Sequence, residues 1–289
     1  MVLTKFLDPK NDFLFKRLFG EERHKDLLIY FINNILHLEG KDAVQDVTYL
    51  KTIQDPDIAA KKQSIVDVLC KDEKGVQFII EMQVARSPGF EERAQFYASK
   101  AYINQMNAGD RYQDLKQVIF IALSDFIMFP EKEAWKSSHV TLDKHTHEQD
   151  LKAFSFTFIE LPKFKKEIHQ LETVEDKWVY FFKHGHTSSD EELEKFIGDD
   201  IILKKALEVT TQYSMTEEEW NTYEQTLKHE MDNKNIELGK LEEAEEKGAI
   251  NKSREIALKM LKRNRSMEEI MEDTGLSVEE LGRLKEFDQ

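Results

Sequence analysis

The run Ser64-Ile65-Val66-Asp67-Val68-Leu69-Cys70-Lys71, the turn Asp72-Glu73-Lys74-Gly75 and the run Val76-Gln77-Phe78-Ile79-Ile80-Glu81-Met82-Gln83-Val84 carry most of the architectural information in this chain. Two β-branched-rich segments flank a short polar stretch ending in glycine, which predicts a hairpin. Side chains alternate along a strand. Asp67 therefore shares a face with Ile65 and Leu69, and Glu81 shares one with Ile79 and Gln83. The opposite face, Val66, Val68, Cys70, Ile80 and Met82, reads as core. With the turn centred near Lys74, positions 67 and 81 are equidistant from it and fall opposite each other. Directly paired Cβ atoms in a hairpin sit about 4.5–5.5 Å apart.

Two carboxylates facing each other on buried strands repel and are poorly solvated. A shared proton, a cationic partner or a metal ion would offset that. Hard oxygen ligands suit Mg2+ or Mn2+, and Mg2+ commonly takes one or two protein carboxylates. A metal there would polarise a phosphodiester and activate water. The other reading pairs one acid with Lys62, Arg93 or Lys100, or leaves it at a wet strand edge.

Outward from the hairpin the first 165 residues read as mixed α/β. Phe15, Leu18, Phe19, Leu27, Leu28, Phe31, Ile32 and Ile35 recur at helical spacing between Asp12 and Leu38, broken near Gly20, and predict two consecutive helices. Val44 to Ile53 is a strand candidate. Pro88-Gly89 opens a helix over Phe90 to Asn107, with Phe96, Tyr97, Tyr102 and Ile103 on its apolar side. Val118 to Leu123 and Phe154 to Leu161 read as further strands. His139, His145 and His147 fall in a polar stretch read as a surface loop. His184 and His186 flank Gly185, and neither stretch offers a third zinc ligand.

Beyond Phe164 the pattern turns helical. Four segments are expected: 1–165, a helical region 166–214, an acidic helical linker 215–250 and a small helix-turn-helix-like unit 251–289. In the last, Ile256, Leu258 and Leu261 mark one helix. Ser266-Met267-Glu268-Glu269 and Ser277-Val278-Glu279-Glu280 have capping-box form around the turn Thr274-Gly275-Leu276. Lys259, Lys262, Arg263 and Arg265 suit phosphates. Glu279, Glu280 and Glu286 on the final helix make a poor major-groove surface. A packing or self-association module, giving a homo-oligomer, is the other reading.

The whole chain has 289 residues, 41 Lys+Arg and 56 Asp+Glu, for a net charge of −15. That balance argues against a chain-wide electrostatic grip on nucleic acid. The lone Cys70 excludes an intramolecular disulfide and a Cys-rich zinc site. No run is apolar enough for a membrane span, and the N-terminus lacks the apolar stretch of a signal peptide. A cytoplasmic protein is expected. No Gly-x-Ser-x-Gly elbow or Gly-rich phosphate loop occurs.

The ordered set Asp12-Phe13-Leu14-Phe15-Lys16 with Phe19-Gly20, Ile65-Val66-Asp67-Val68-Leu69, Gly75, Ile80-Glu81-Met82-Gln83, Arg93-Ala94-Gln95-Phe96-Tyr97, Gly109 with Tyr112, and Ile159-Glu160-Leu161-Pro162-Lys163-Phe164 resembles the PD-(D/E)XK nuclease superfamily. Within it, the set is similar to the Rpn-type recombination-promoting nuclease and transposase family of bacteria. The resemblance implies an α/β fold, with a restriction-endonuclease-like central mixed sheet flanked by helices and an α-helical C-terminal extension. It implies a metal-dependent DNA endonuclease linked to recombination or transposition. Asp67 and Glu81 would hold Mg2+ or Mn2+ with the main-chain carbonyl of Met82. Gln83 stands where Lys is usual and would position water without supplying charge. Val66 stands where the superfamily's name places Pro.

Asp12 is either a further acid of the site or an N-cap. Arg93 and Tyr97, four apart on one helical face, either serve a phosphate or carboxylate, or make a structural ion pair. The alternative function is a catalytically weak or inactive nuclease fold that binds nucleic acid or a protein partner.

Overall fold

Asn11, rather than Asp12, caps the first helix. In a computed structural model, which describes residues 6–54 and 64–287, the Asn11 side chain accepts from the Phe13 and Leu14 amides. Helix α1 (Asp12–Phe19) follows, with Asp12 in its first turn. It stops at Gly20, where an added Cβ would meet the Lys16 carbonyl oxygen at 2.7 Å. Helix α2 (Lys25–Ile35) follows a short 3-10 turn. All eight apolar residues that predicted this pair are buried.

Next come β1 (Val47–Tyr49), β2 (Ile53–Gln54), β3 (Ser64–Ile65), β4 (Val68–Asp72), β5 (Gln77–Gln83), α3 (Phe90–Ile103), β6 (Val118–Ser124), β7 (Lys136–Val140) and β8 (Phe154–Glu160). Six of them form one mixed sheet in the order β1-β4-β5-β6-β8-β7, while β2 and β3 pair separately. The predicted hairpin is the antiparallel β4–β5 pair, with Val68 opposite Ile80. Strands β5, β6 and β8 run parallel, and β7 closes the edge antiparallel to β8.

Both faces of the sheet are covered. On one, Val68, Cys70, Ile80 and Met82 pack into a cluster with Phe15, Phe19 and Phe31. Trp178 and Phe182 join it from α4 (Val174–His184). On the other, Leu69, Ile79, Phe120 and Phe158 meet α3.

Three expectations need correction here. The buried stripe of α3 is Phe90, Ala94, Ala98 and Ala101, whereas Phe96 and Ile103 are exposed. Phe90 with alanines four, eight and eleven residues on seats the helix on the sheet; Tyr97 and Tyr102 pack against the same cluster as expected, while Phe96 and Ile103 do not. Val66 packs with Leu69 and Ile79, on the opposite face to that predicted, because the chain bends at Val66–Asp67 between β3 and β4 and the alternation slips. His139 lies on strand β7, not in a loop, and its ring is 5.3 Å from that of Phe129 and 5.5 Å from that of Phe158.

Helices α5 (Asp190–Ile197) and α6 (Ile201–Val209) follow α4. Helix α7 (Glu217–Lys262) is one helix of 46 residues, so the helix read as starting near Asn251 is its last stretch. Helices α8 (Met267–Thr274) and α9 (Val278–Phe287) end the described chain. By contacts the chain divides into two compact units, Met1–Leu227 and Lys228–Gln289. The second has its own small core of Ala257, Ile270, Leu276 and Leu281. Both predicted capping-box sequences form reciprocal bonds, Ser266 with Glu269 and Ser277 with Glu280. Gly275 takes the left-handed cap at φ 68°. No helix among the described residues is long and apolar enough to cross a membrane.

Candidate active site

Continuing the β4–β5 register one step past Val68 and Ile80 sets Asp67 against Glu81. Asp67 itself sits in the bend before β4. Its Oδ2 accepts the Met82 amide N–H at 2.9 Å, so the side chain does ladder work where the backbone has turned away. Glu81 lies inside β5, beside Ala122 of β6, and is only 5% exposed. Its Oε1 is buried with no hydrogen-bond partner.

Burial pushes the Glu81 carboxyl well above the ordinary range, and the neighbouring Asp67 carboxylate adds to the rise against the opposing pull of Arg93. Burial raises Asp67 as well, opposed by the Met82 amide and by Lys16. The two carboxyls also hydrogen-bond each other, which raises Glu81 and lowers Asp67, the pattern of an acid pair sharing a proton.

Two acids, one with an orphaned buried oxygen, are a donor set that suits a hard divalent cation. Met82 follows directly and brings a main-chain carbonyl. Among the described residues no three His, Cys, Asp or Glu side chains converge to hold a metal.

Arg93 and Tyr97 of α3 do face the pair. Arg93 donates to the Gln83 side-chain oxygen and stacks over the Phe90 ring at 4.8 Å. Burial raises the Tyr97 phenol, with Arg93 opposing and Glu81 and Asp67 adding to the rise. Gln83 in turn donates to the Ala85 carbonyl at 2.8 Å. Of the cations weighed as partners, Lys62 lies outside the described residues. Cys70 is buried, and burial with Asp72 nearby pushes its thiol up to about 12, which removes it as a nucleophile.

Asp12 is not an N-cap; it forms a 2.6 Å ion pair with Lys16, one turn on. Lys16 also reaches Asp67 Oδ1 at 3.7 Å. Burial acts to lower the Lys16 ammonium, yet Asp12, Asp67 and Glu81 leave it raised. Lys16 therefore belongs to the constellation. The sequence showed it as the last residue of the Asp12-to-Lys16 motif, about fifty positions away, with no role assigned and nothing to say which way it points.

The glutamate of the Ile159-to-Phe164 motif does a different job. Glu160 is buried, accepts the Met128 and Phe129 amides and pairs with Lys163 at 2.8 Å, stapling the end of β8 to the loop after β6. A second cluster joins Lys10 to Asp125 at 3.3 Å, just past the end of β6. Lys259, Lys262, Arg263 and Arg265 are exposed, with Lys259 paired to Glu255 at 2.6 Å and Arg265 near Glu269 at 3.9 Å.

Comparison with known proteins agrees with the geometry. The family described as PD-(D/E)XK nuclease family transposase matches residues 9–240, well over half the chain. No curated protein and no solved structure matches. A six-stranded mixed sheet with an Asp in the bend just before β4 and a Glu within β5, together with a match of that extent, places this chain in the PD-(D/E)XK nuclease family transposases.

Proposed function

We propose that the protein is a Mg2+- or Mn2+-dependent DNA endonuclease, working in transposition or recombination. The observation that supports this most is the unpartnered Oε1 of buried Glu81 beside Asp67. A folded chain rarely keeps a buried carboxylate oxygen unsatisfied without a chemical use for it.

In this reading Asp67, Glu81 and the Met82 carbonyl hold the ion, which when bound supplies Lewis acidity toward a phosphodiester and water. Gln83 keeps Arg93 close to the pair through its oxygen. One of its two amide N–H groups goes to Ala85, and we assign the other to the attacking water. Arg93 and Tyr97 orient the phosphate, and hydrolysis proceeds by in-line displacement at phosphorus. Lys259, Lys262, Arg263 and Arg265 give the C-terminal unit a phosphate-binding or self-associating role. The segments 1–165, 166–214, 215–250 and 251–289 remain our functional division, and the cytoplasm our proposed location.

The test is plasmid DNA with Mg2+ or Mn2+, using wild type, Asp67→Ala and Glu81→Ala. Cleavage by wild type and its loss in both variants is the expected result. Cleavage that survives both, or no cleavage with either metal, refutes the reading. A second reading, a binding protein on a weakly active nuclease fold, draws on Gln83 standing where a cation is usual and on the net charge of −15. DNA binding without metal-dependent cleavage selects it.

A further inference from the structure

Position 83 brings no charge beside the acid pair, where Lys is usual, so a cation from another element must stand there for that charge to be supplied. Arg93, which orients the phosphate in the reading above and acts on Glu81, is held by Gln83 and Phe90. Lys10, 8% exposed, sits between Asp8 and Asp125. Among the described residues Lys16 is the cation ion-paired to a member of the acid pair, at 3.7 Å from Asp67. It enters from α1 rather than from the sheet, and its side chain is 41% exposed, so a ligand can reach it. Its shorter bond, 2.6 Å, is to Asp12 on its own helix. That tether would keep the ammonium in place if Asp67 were taken by another cation. An exposed pair one helical turn apart contributes little to stability, so architecture alone does not account for the arrangement.

We propose that Lys16 is the positioning cation of this centre. Its ammonium group holds Asp67 while the protein carries no divalent ion. Once such an ion takes that carboxylate, the same ammonium, anchored by Asp12, supplies the positive charge that position 83 lacks. The proposal rests on the metal-centre reading above. It has a signature of opposite signs, because a lysine that competes for the ligand weakens metal binding while the charge it offers the phosphate speeds cleavage.

The experiment is a calorimetric titration of the full chain with Mn2+, paired with plasmid cleavage at saturating Mn2+, on wild type, K16Q, K16R and Asp67→Ala. K16Q is expected to bind Mn2+ about tenfold more tightly, the effect of removing one positive charge some 6 Å from a divalent ion in a water-like dielectric. It is expected to cleave about a hundredfold more slowly. K16R, which keeps the charge, stays near wild type in Mn2+ affinity and recovers part of the rate. Binding by wild type that Asp67→Ala abolishes and K16Q leaves unchanged or weakens overturns this proposal alone. So does tighter binding by K16Q with an undiminished rate. Wild type that binds no Mn2+, or binds it equally well without Asp67, overturns the metal-centre reading and this proposal with it.

Discussion

Two glutamates lie deep in the sheet, and their surroundings assign them opposite roles. Glu160 accepts two backbone amides and a lysine ammonium, so every part of its charge is answered. Glu81 keeps an oxygen with no partner beside a second carboxylate. Removing Glu160 leaves a buried ammonium and two amides unmatched, and Glu160→Ala is expected to lose about 3 kcal/mol. Glu81→Gln removes a carboxyl that burial already disfavours as an anion, and in metal-free buffer it is expected to be neutral or stabilising by about 1 kcal/mol. Urea unfolding of the two variants in the presence of a chelator checks both. A large loss for Glu81→Gln would mean that its carboxyl is structural after all. Strand parity and distance from the turn were enough to find Asp67 and Glu81. Lys16 was out of reach, because parity relates residues within one hairpin and says nothing about the azimuth of a helix on the sheet.

At the scale of elements, α4 shows how a local motif holds a core helix in place. Thr173 and Asp176 form a reciprocal capping box, and Lys166 binds both Asp176 oxygens at 2.8 Å. Burial by itself would raise the Asp176 carboxyl, but Lys166 and the Thr173 and Glu172 amides outweigh it, so the group stays below its ordinary 3.8. A carboxyl lowered by folding contributes stability that is present above the unfolded value and is lost as pH falls through the folded one. Asp176→Asn is therefore expected to cost about 1–2 kcal/mol at pH 7 and at pH 5. The gap from wild type should shrink only below 3.8, as followed by urea melts across that range. A gap independent of pH would assign the loss to geometry rather than charge. Elements with long apolar runs, α1, α2, β5, β6 and β8, were legible because burial on at least one side leaves a periodic trace. Strand β7 was not, since Lys136-Ser137-Ser138-His139-Val140 borrows its apolar contacts from β8. The stripe of α3 misled by half, because three alanines share the packing with Phe90, Tyr97 and Tyr102 while Phe96 and Ile103 face solvent.

On the scale of the whole chain, two compact units imply two centres of stability. The second rests on a core of few residues, with Ile270 and Leu281 fully buried. Trp135, Trp178 and Trp220 all belong to the first unit, so tryptophan fluorescence reports on that unit alone. Ile270→Asp places a charge in the small core and is expected to remove amide-exchange protection from α8 and α9. The tryptophan melting curve should shift by less than about 1 °C, within the range of a surface change. A downward shift of the tryptophan transition as large as that of helicity would show that the two units unfold as one.

From its sequence alone this protein was determined to be mixed α/β with a helical C-terminal stretch, and its acid pair was placed by hairpin symmetry. Those properties depend on neighbours along the chain, on side-chain periodicity and on turn chemistry, which are written residue by residue. Folding in three dimensions decided which face of α3 meets the sheet, which way Val66 turns at the bend, that a polar edge strand completes the sheet, and that Lys16 comes within 3.7 Å of Asp67. Each of those depends on how separate elements pack against one another. Packing is settled by the summed fit of many weak contacts, for which no single stretch of sequence carries the record.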